Sequence, residues 1–323
     1  MPIIDHQDYK PGIIFRQGHI NTLFPYIFRI KPKLPYSRKR YTTHDADFYD
    51  VDWLLADHTH NLVVLLHGLE GSSASQYING MSRIMAACDF NVAAINFRSC
   101  SGEMNKNKVM YHSGFTQDLH HFLSIEAPNF DNIYLCGFSL GGNVVMKYSS
   151  DGKYQLPNNL KAVAGISVPI DLQGGSHELK KWSNRMYEKN FLGTLLKKIK
   201  KKHRLFPDEI SLDHIKKVKT LWDFDEYYTA SLHGFKNAED YYRQCSSLPF
   251  LNSMPLPALL INALDDSFLA PTAYPYAIAA ENPNFHLLTP RHGGHVGFAT
   301  FRAEFYWTEL IVKDFFMNIE TQS

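Results

Sequence analysis

The chain has 323 residues, 45% of them hydrophobic, which is ample for a continuous buried core in a globular protein. Lys and Arg number 33 against 32 Asp and Glu, so the net charge gives no reason to expect nucleic acid as a partner. Four cysteines (Cys88, Cys100, Cys136, Cys245) are widely spaced with no CxxC pair, which argues against a zinc site or a disulfide framework and fits a cytoplasmic location.

In chain order, Asp5 and Asp8 stand where a secretory signal needs a basic segment followed by an apolar one, so no export signal is read. DFYDVDWLL (47–55) alternates, with Tyr49, Val51, Trp53 and Leu55 on one face and Asp50 and Asp52 on the other, as in a half-exposed strand. NLVVLLHG (61–68), NVAAINF (91–97), NIYLCG (132–137), LKAVAGISV (160–168) and PALLINA (257–263) are instead continuous apolar runs, the mark of parallel strands covered on both faces. Crossover helices fit at 75–87 and 114–125, so the alternation implies a doubly wound α/β architecture. Residues 171–248 break the rhythm. They are rich in Lys, Trp and Tyr at helical spacing and read as a helical cap inserted into a single domain spanning 1–323. The longest uncharged stretch, 244–264, is interrupted by Pro249, Pro255 and Pro257 and reads as loop plus one buried strand.

Directly after the apolar run ending at Cys136 comes GFSLG, a Gly-x-Ser-x-Gly at a strand-to-helix turn. Such a turn strains the serine and needs Gly137 and Gly141, because a Cβ at either would clash; the Oγ of Ser139 then projects above the sheet. Cys136, closing the strand, reads as a small core residue. A serine hydroxyl needs a base, and the base needs an acid to fix its tautomer, in the order Ser, Asp or Glu, His. LDDSFLAP supplies Asp265 and Asp266, and RHGGHVGF supplies His292 and His295. His295 is preferred because Gly293 and Gly294 precede it, and Asp266 is preferred less strongly. HGLEGS after the strand NLVVLL offers an oxyanion hole built from the N–H groups of Leu69 and Leu140, with His67 orienting the loop. No metal, nucleotide or flavin motif is present, so no cofactor is expected.

Together with NFRSCSGEMNK (96–106), YHSG (111–114), FDEYYTASLHGF (224–235) and DYYRQCSS (240–247), these motifs resemble the YheT-like family of α/β-hydrolases, itself similar to the mammalian abhydrolase-domain lipases. The resemblance runs from GHINTL through RHGGHVGF. It implies an α/β-hydrolase fold and an esterase or lipase that uses Ser139, Asp266 and His295 on a small-molecule or lipid ester. Where the family commonly reads NFRGCSG this chain has Ser99, and where it reads DDPF this chain has Ser267. An acyltransferase would use the same triad, and a non-catalytic binding protein would keep the fold alone. One further feature is FLGTLLKKIKKKHR (191–204). Leu192, Leu195, Leu196 and Ile199 form an apolar stripe, and six Lys and Arg crowd the remainder, a pattern that fits either a cap helix packed on the core or weak peripheral contact with an anionic membrane.

Overall fold

The computed structural model describes residues 9–56, 58–301 and 303–322. Asp5 and Asp8, on which the export argument rests, lie outside the described residues. Eight strands form one sheet: β1 (Ser37–Thr42), β2 (Phe48–Leu54), β3 (Asn61–Leu66), β4 (Asn91–Asn96), β5 (Asn132–Phe138), β6 (Leu160–Ile166), β7 (Ala258–Ile261) and β8 (Phe285–Leu288). Their spatial order is β1-β2-β4-β3-β5-β6-β7-β8. The pairs β1/β2 and β2/β4 are antiparallel, and every pair from β4 to β8 is parallel.

The continuous apolar runs are explained by two cores, one on each face of this sheet. Along β3, Leu62, Val64 and Leu66 enter one core while Val63 and Leu65 enter the other. The helices are α1 (Gly18–Phe28), α2 (Gln76–Ala87), α3 (Gln117–Glu126), α4 (Leu140–Ser150), α5 (Leu172–Leu179), α6 (Arg185–Leu205), α7 (Leu221–Phe224), α8 (Ala230–His233), α9 (Ala238–Cys245), α10 (Tyr276–Glu281) and α11 (Trp307–Gln322). Side chains of α3 and α4 fill the first core, and those of α2 and α11 fill the second. Helices α5 to α9 all lie between β6 and β7 and make the helical insertion.

Two expectations from the sequence are corrected. β2 is not half-exposed: all seven of its residues are buried, and Leu55 lies beyond its end and faces solvent. The covering element is β1, whose charged sequence SRKRYT hides it from an apolar-pattern search, as befits an edge strand. Arg40 and Arg38 reach from β1 onto Asp50 and Asp52 at 2.8 and 2.7 Å, so the acidic face of β2 is buried in ion pairs. On α6, Leu192, Leu195 and Ile199 are buried as their spacing implies, but the lysines do not all face water. Lys202 is fully buried, donates to the backbone carbonyls of Asn105 (2.7 Å) and Asn107, and has its pKa pushed down to about 8 by burial. Lys198 pairs with Glu70 at 2.7 Å. The cause is helical spacing: positions 195, 198, 199 and 202 share one face, so two lysines follow the apolar stripe inward.

Ser99 sits at φ 66°, in the left-handed region that favours glycine, the residue common at this position in the family that the sequence resembles. Its hydroxyl offsets the strain locally, donating to Asn105 Oδ1 at 2.5 Å and accepting from the Asn105 N–H at 3.1 Å. Ser267 likewise gains partners, donating to Asn184 Oδ1 at 2.7 Å and accepting from Asn184 Nδ2 at 2.6 Å through its carbonyl.

Candidate active site

Ser139 stands between the end of β5 and the first residue of α4, at φ 52° and ψ −119°. This turn is possible only because its flanks are bare. A Cβ on Gly137 would come within 2.3 Å of the Gly141 carbonyl oxygen, and one on Gly141 within 2.4 Å of the Leu66 oxygen. The strain therefore aims the Ser139 side chain outward while β5 and α4 stay packed around it.

Two later loops meet that side chain. Asp266 follows β7 and His295 follows β8, both at the same ends of parallel strands as Ser139. The Ser139 hydroxyl donates to His295 Nε2 at 2.9 Å, and His295 Nδ1–H donates to Asp266 Oδ2 at 2.8 Å. The acid is fixed in turn: Asp266 Oδ1 accepts the Phe268 N–H at 2.9 Å, and its side chain is fully buried. Asp265 and His292 take other places. Their nearest approach is 3.4 Å to each other, and Asp265 Oδ1 accepts the Gly294 N–H at 2.8 Å, so this second carboxylate holds the histidine loop rather than the histidine ring.

The loop carrying His295 is held from the far end of the sequence. The His295 N–H donates to Thr22 Oγ1 at 2.8 Å, and the Thr22 hydroxyl donates to the Gly18 carbonyl at 2.8 Å. Helix α1 lies so close that a Cβ on Gly294, itself at φ 56°, would meet the Gly18 oxygen at 2.3 Å. Thr22 belongs to GHINTL, but no spacing rule connects that stretch to a loop 273 residues later.

Opposite the histidine, the HGLEGS loop is set by His67. This buried ring accepts the Phe97 N–H on Nε2 at 3.1 Å and donates from Nδ1 to the Gly68 carbonyl at 2.7 Å, while burial lowers its pKa to about 4 and keeps it neutral. His67 thus orients the loop. Gly68 brings the loop to Ser139, since a Cβ there would lie 3.2 Å from Ser139 Cβ. Leu69 and Leu140 line the same cavity as Ser139 and His295. The N–H of Leu140 opens α4 and has no intrahelical partner. Glu70 extends the loop's support to the insertion: it takes the Lys198 ammonium at 2.7 Å and the Tyr111 hydroxyl at 2.9 Å. The motifs HGLEGS, YHSG and FLGTLLKKIKKKHR contain Glu70, Tyr111 and Lys198, but nothing in the sequence pairs them, because they lie on three separate segments.

Cys136 is fully buried in β5, and burial alone pushes its thiol pKa far up, which makes it a core residue. The cavity beside Ser139 measures about 130 Å³. Its wall is mostly apolar, with Met110, Leu195, Ile199, Leu221 and Phe224 prominent, and most of these come from the insertion. A polar group also faces it: Asp225, at the start of a π-helical turn (Asp225–Thr229) joining α7 and α8, accepts the hydroxyls of Thr229 and Tyr242 at 2.6 Å each. Burial raises the Asp225 carboxyl to about 6.

A family model described as alpha/beta hydrolase fold matches residues 61–301. YheT of Escherichia coli (strain K12), provisionally named an esterase, is 34% identical over 299 residues, covering 90% of this chain and 87% of that protein. Human phospholipase ABHD3 is 30% identical over 307 residues, covering 90% of this chain and 74% of that one. Among solved structures, an esterase of Pyrococcus furiosus shares the fold with a TM-score of 0.60 at 19% identity, over 90% of this chain and 95% of its own. With an eight-stranded, mostly parallel sheet, the strained serine turn after β5 and relatives that match along nearly the whole chain, the protein belongs to the α/β-hydrolase fold family, in the branch that includes YheT.

Proposed function

We propose that the protein is a serine esterase that cleaves carboxylic esters with an apolar acyl group through an acyl-enzyme. One observation carries this reading: the hydrogen-bond chain from Ser139 through His295 to Asp266, at 2.9 and 2.8 Å, beside a mostly apolar cavity. Ser139 Oγ attacks the ester carbonyl carbon while its proton passes to His295 Nε2, and Asp266 stabilises the imidazolium that forms. The N–H groups of Leu69 and Leu140 receive the developing oxyanion, each supplying about 3 kcal/mol. His295 then gives the proton to the departing alcohol oxygen as the C–O bond breaks. Water, deprotonated by the same histidine, attacks the acyl-enzyme and releases the acid, restoring the Ser139 hydroxyl.

Residues 171–248 act as the cap that supplies the acyl pocket. Relatives named phospholipase and monoacylglycerol lipase favour lipid esters within this class. The test is a series of p-nitrophenyl esters of rising acyl length, mixed rapidly with purified protein. The reading expects hydrolysis with a burst of one nitrophenol per enzyme wherever deacylation is the slower step. Absence of turnover and of a burst at every chain length overturns it.

A further inference from the structure

We infer that the N-terminal segment 13–33 is a docking surface for anionic lipid bilayers, a surface separate from the basic helix α6. The inference deepens the esterase reading, because it places the substrate in a membrane, but its test does not depend on turnover.

The first observation is exposure. Among the described residues Ile13, Ile14, Tyr26, Ile27, Phe28 and Ile30 are each at least 60% exposed, within a stretch of eighteen residues. An apolar patch so dense on a water-facing surface marks an interaction site. Helix α1 turns its other side to the molecule: Asn21 and Pro25 are buried, and Thr22 holds the His295 loop. It is therefore anchored through one face and free on the other, the arrangement of a helix lying in an interface plane.

The second observation is charge. Residues 9–44 contain eight Lys and Arg and no Asp or Glu. Arg29, Arg38, Lys39 and Arg40 are taken up by Glu309, Asp52, Glu126 and Asp50. Lys10, Arg16, Lys31 and Lys33 are exposed, and among the described residues none of them has an ion-pair partner. Exposed isoleucines and aromatics among free cations suit an anionic lipid headgroup layer, where each cation strengthens binding about fivefold. A second copy of the chain fits worse, because a two-fold contact would set the same four cations against each other.

The third observation is position. The His19 ring stacks on Tyr187 with centroids 5.8 Å apart, Tyr187 packs on Phe268 at 4.9 Å, and Phe268 stacks on His295 at 4.3 Å. The docking face thus lies three ring contacts from the proposed catalytic histidine. Trp182 and Met186, just before Tyr187 on the insertion, are also exposed. A bilayer seated there delivers an ester next to the cavity.

The experiment is vesicle sedimentation of the full chain carrying Ser139→Ala, so that the lipids stay intact. Vesicles of phosphatidylcholine alone are compared with vesicles containing phosphatidylglycerol, at low and high salt. The inference expects binding to the anionic vesicles, weakened at least about tenfold as salt rises past physiological strength. Adding Ile27→Glu, Phe28→Glu and Ile30→Glu weakens it by about tenfold or more, because an anion replaces each apolar group that would enter the bilayer. Reversal of the exposed α6 cations with Lys197→Glu, Lys200→Glu and Lys201→Glu leaves binding within about twofold. The substitutions at Ile27, Phe28 and Ile30 on the unaltered Ser139 background retain hydrolysis of a water-soluble short-chain ester, which shows that the variant folds. The inference is overturned if anionic vesicles fail to bind at low salt, if the substitutions at Ile27, Phe28 and Ile30 leave binding unchanged, or if the α6 reversal abolishes it. It is equally overturned if light scattering shows a concentration-dependent dimer that the same three substitutions dissolve while vesicles do not bind. Vesicle binding without any ester hydrolysis by the unaltered enzyme would sink the esterase reading alone.

Discussion

Thr22 offers a sharp test of how the histidine loop is held, since its hydroxyl touches the backbone of the proposed base and lies outside the cavity wall. Replacing Thr22 with Val preserves shape and removes the acceptor. The His295 N–H, only partly buried, then loses a 2.8 Å hydrogen bond, and an unsatisfied group of this kind costs about 1–3 kcal/mol. If water recovers part of that, about 1.4 kcal/mol remains against the productive loop position, which corresponds to about a tenfold fall in kcat. The Gly18 carbonyl loses the hydroxyl donor as well, but as the first carbonyl of α1 it keeps the helical N–H four residues on, so it is not left bare. Steady-state kinetics on a soluble ester would read the effect as lower kcat with KM nearly constant, because Thr22 reaches no substrate. Thr22→Ser restores the acceptor and should recover most of the rate. A Thr22→Val enzyme with kcat within about twofold of the unaltered protein, or with a raised KM alone, would refute the argument.

Asp266→Asn should lower kcat by about four orders of magnitude, since an amide forces the wrong imidazole tautomer, whereas Asp265→Asn should cost no more than about tenfold; comparable losses in kinetic assays would contradict the assignment. Asp225 bears on stability. Its carboxyl is raised from 3.8 to about 6 by burial, so the folded state holds the proton more tightly than the unfolded one. The resulting stabilisation is complete below pH 3.8 and is lost as pH rises through about 6, a change of about 3 kcal/mol at most. In urea titrations Asp225→Asn should therefore gain on the unaltered protein between pH 5 and pH 8, and a difference independent of pH would count against the buried carboxylate.

The parallel strands and the three residues of the Ser139–His295–Asp266 hydrogen-bond chain were legible because each is announced locally. Continuous apolar runs mark doubly covered strands, and the glycines around Ser139 and before His295 mark backbone that must approach other backbone. The choice of Asp266 over Asp265 was less legible, since adjacent carboxylates differ only in which way their side chains leave the turn. What stayed hidden depends on pairing across long sequence distances. β1 carries charges rather than an apolar pattern, yet it buries Asp50 and Asp52 through Arg40 and Arg38. The lysines of α6 look solvated in a list of residue types, but Lys202 is buried on two carbonyls and Lys198 on Glu70. Thr22 and Asp225 acquire their meaning only once α1 and the π-helical turn are in place.

The central claim is that Ser139 is a nucleophile activated by His295. Its most direct measurement is covalent labelling of the purified protein by a fluorophosphonate, with the modified peptide mapped by mass spectrometry. The account predicts one adduct, on Ser139, with labelling lost in Ser139→Ala, strongly slowed in His295→Ala and unchanged in Cys136→Ala. An adduct that persists in Ser139→Ala, or that maps to another residue, would contradict it.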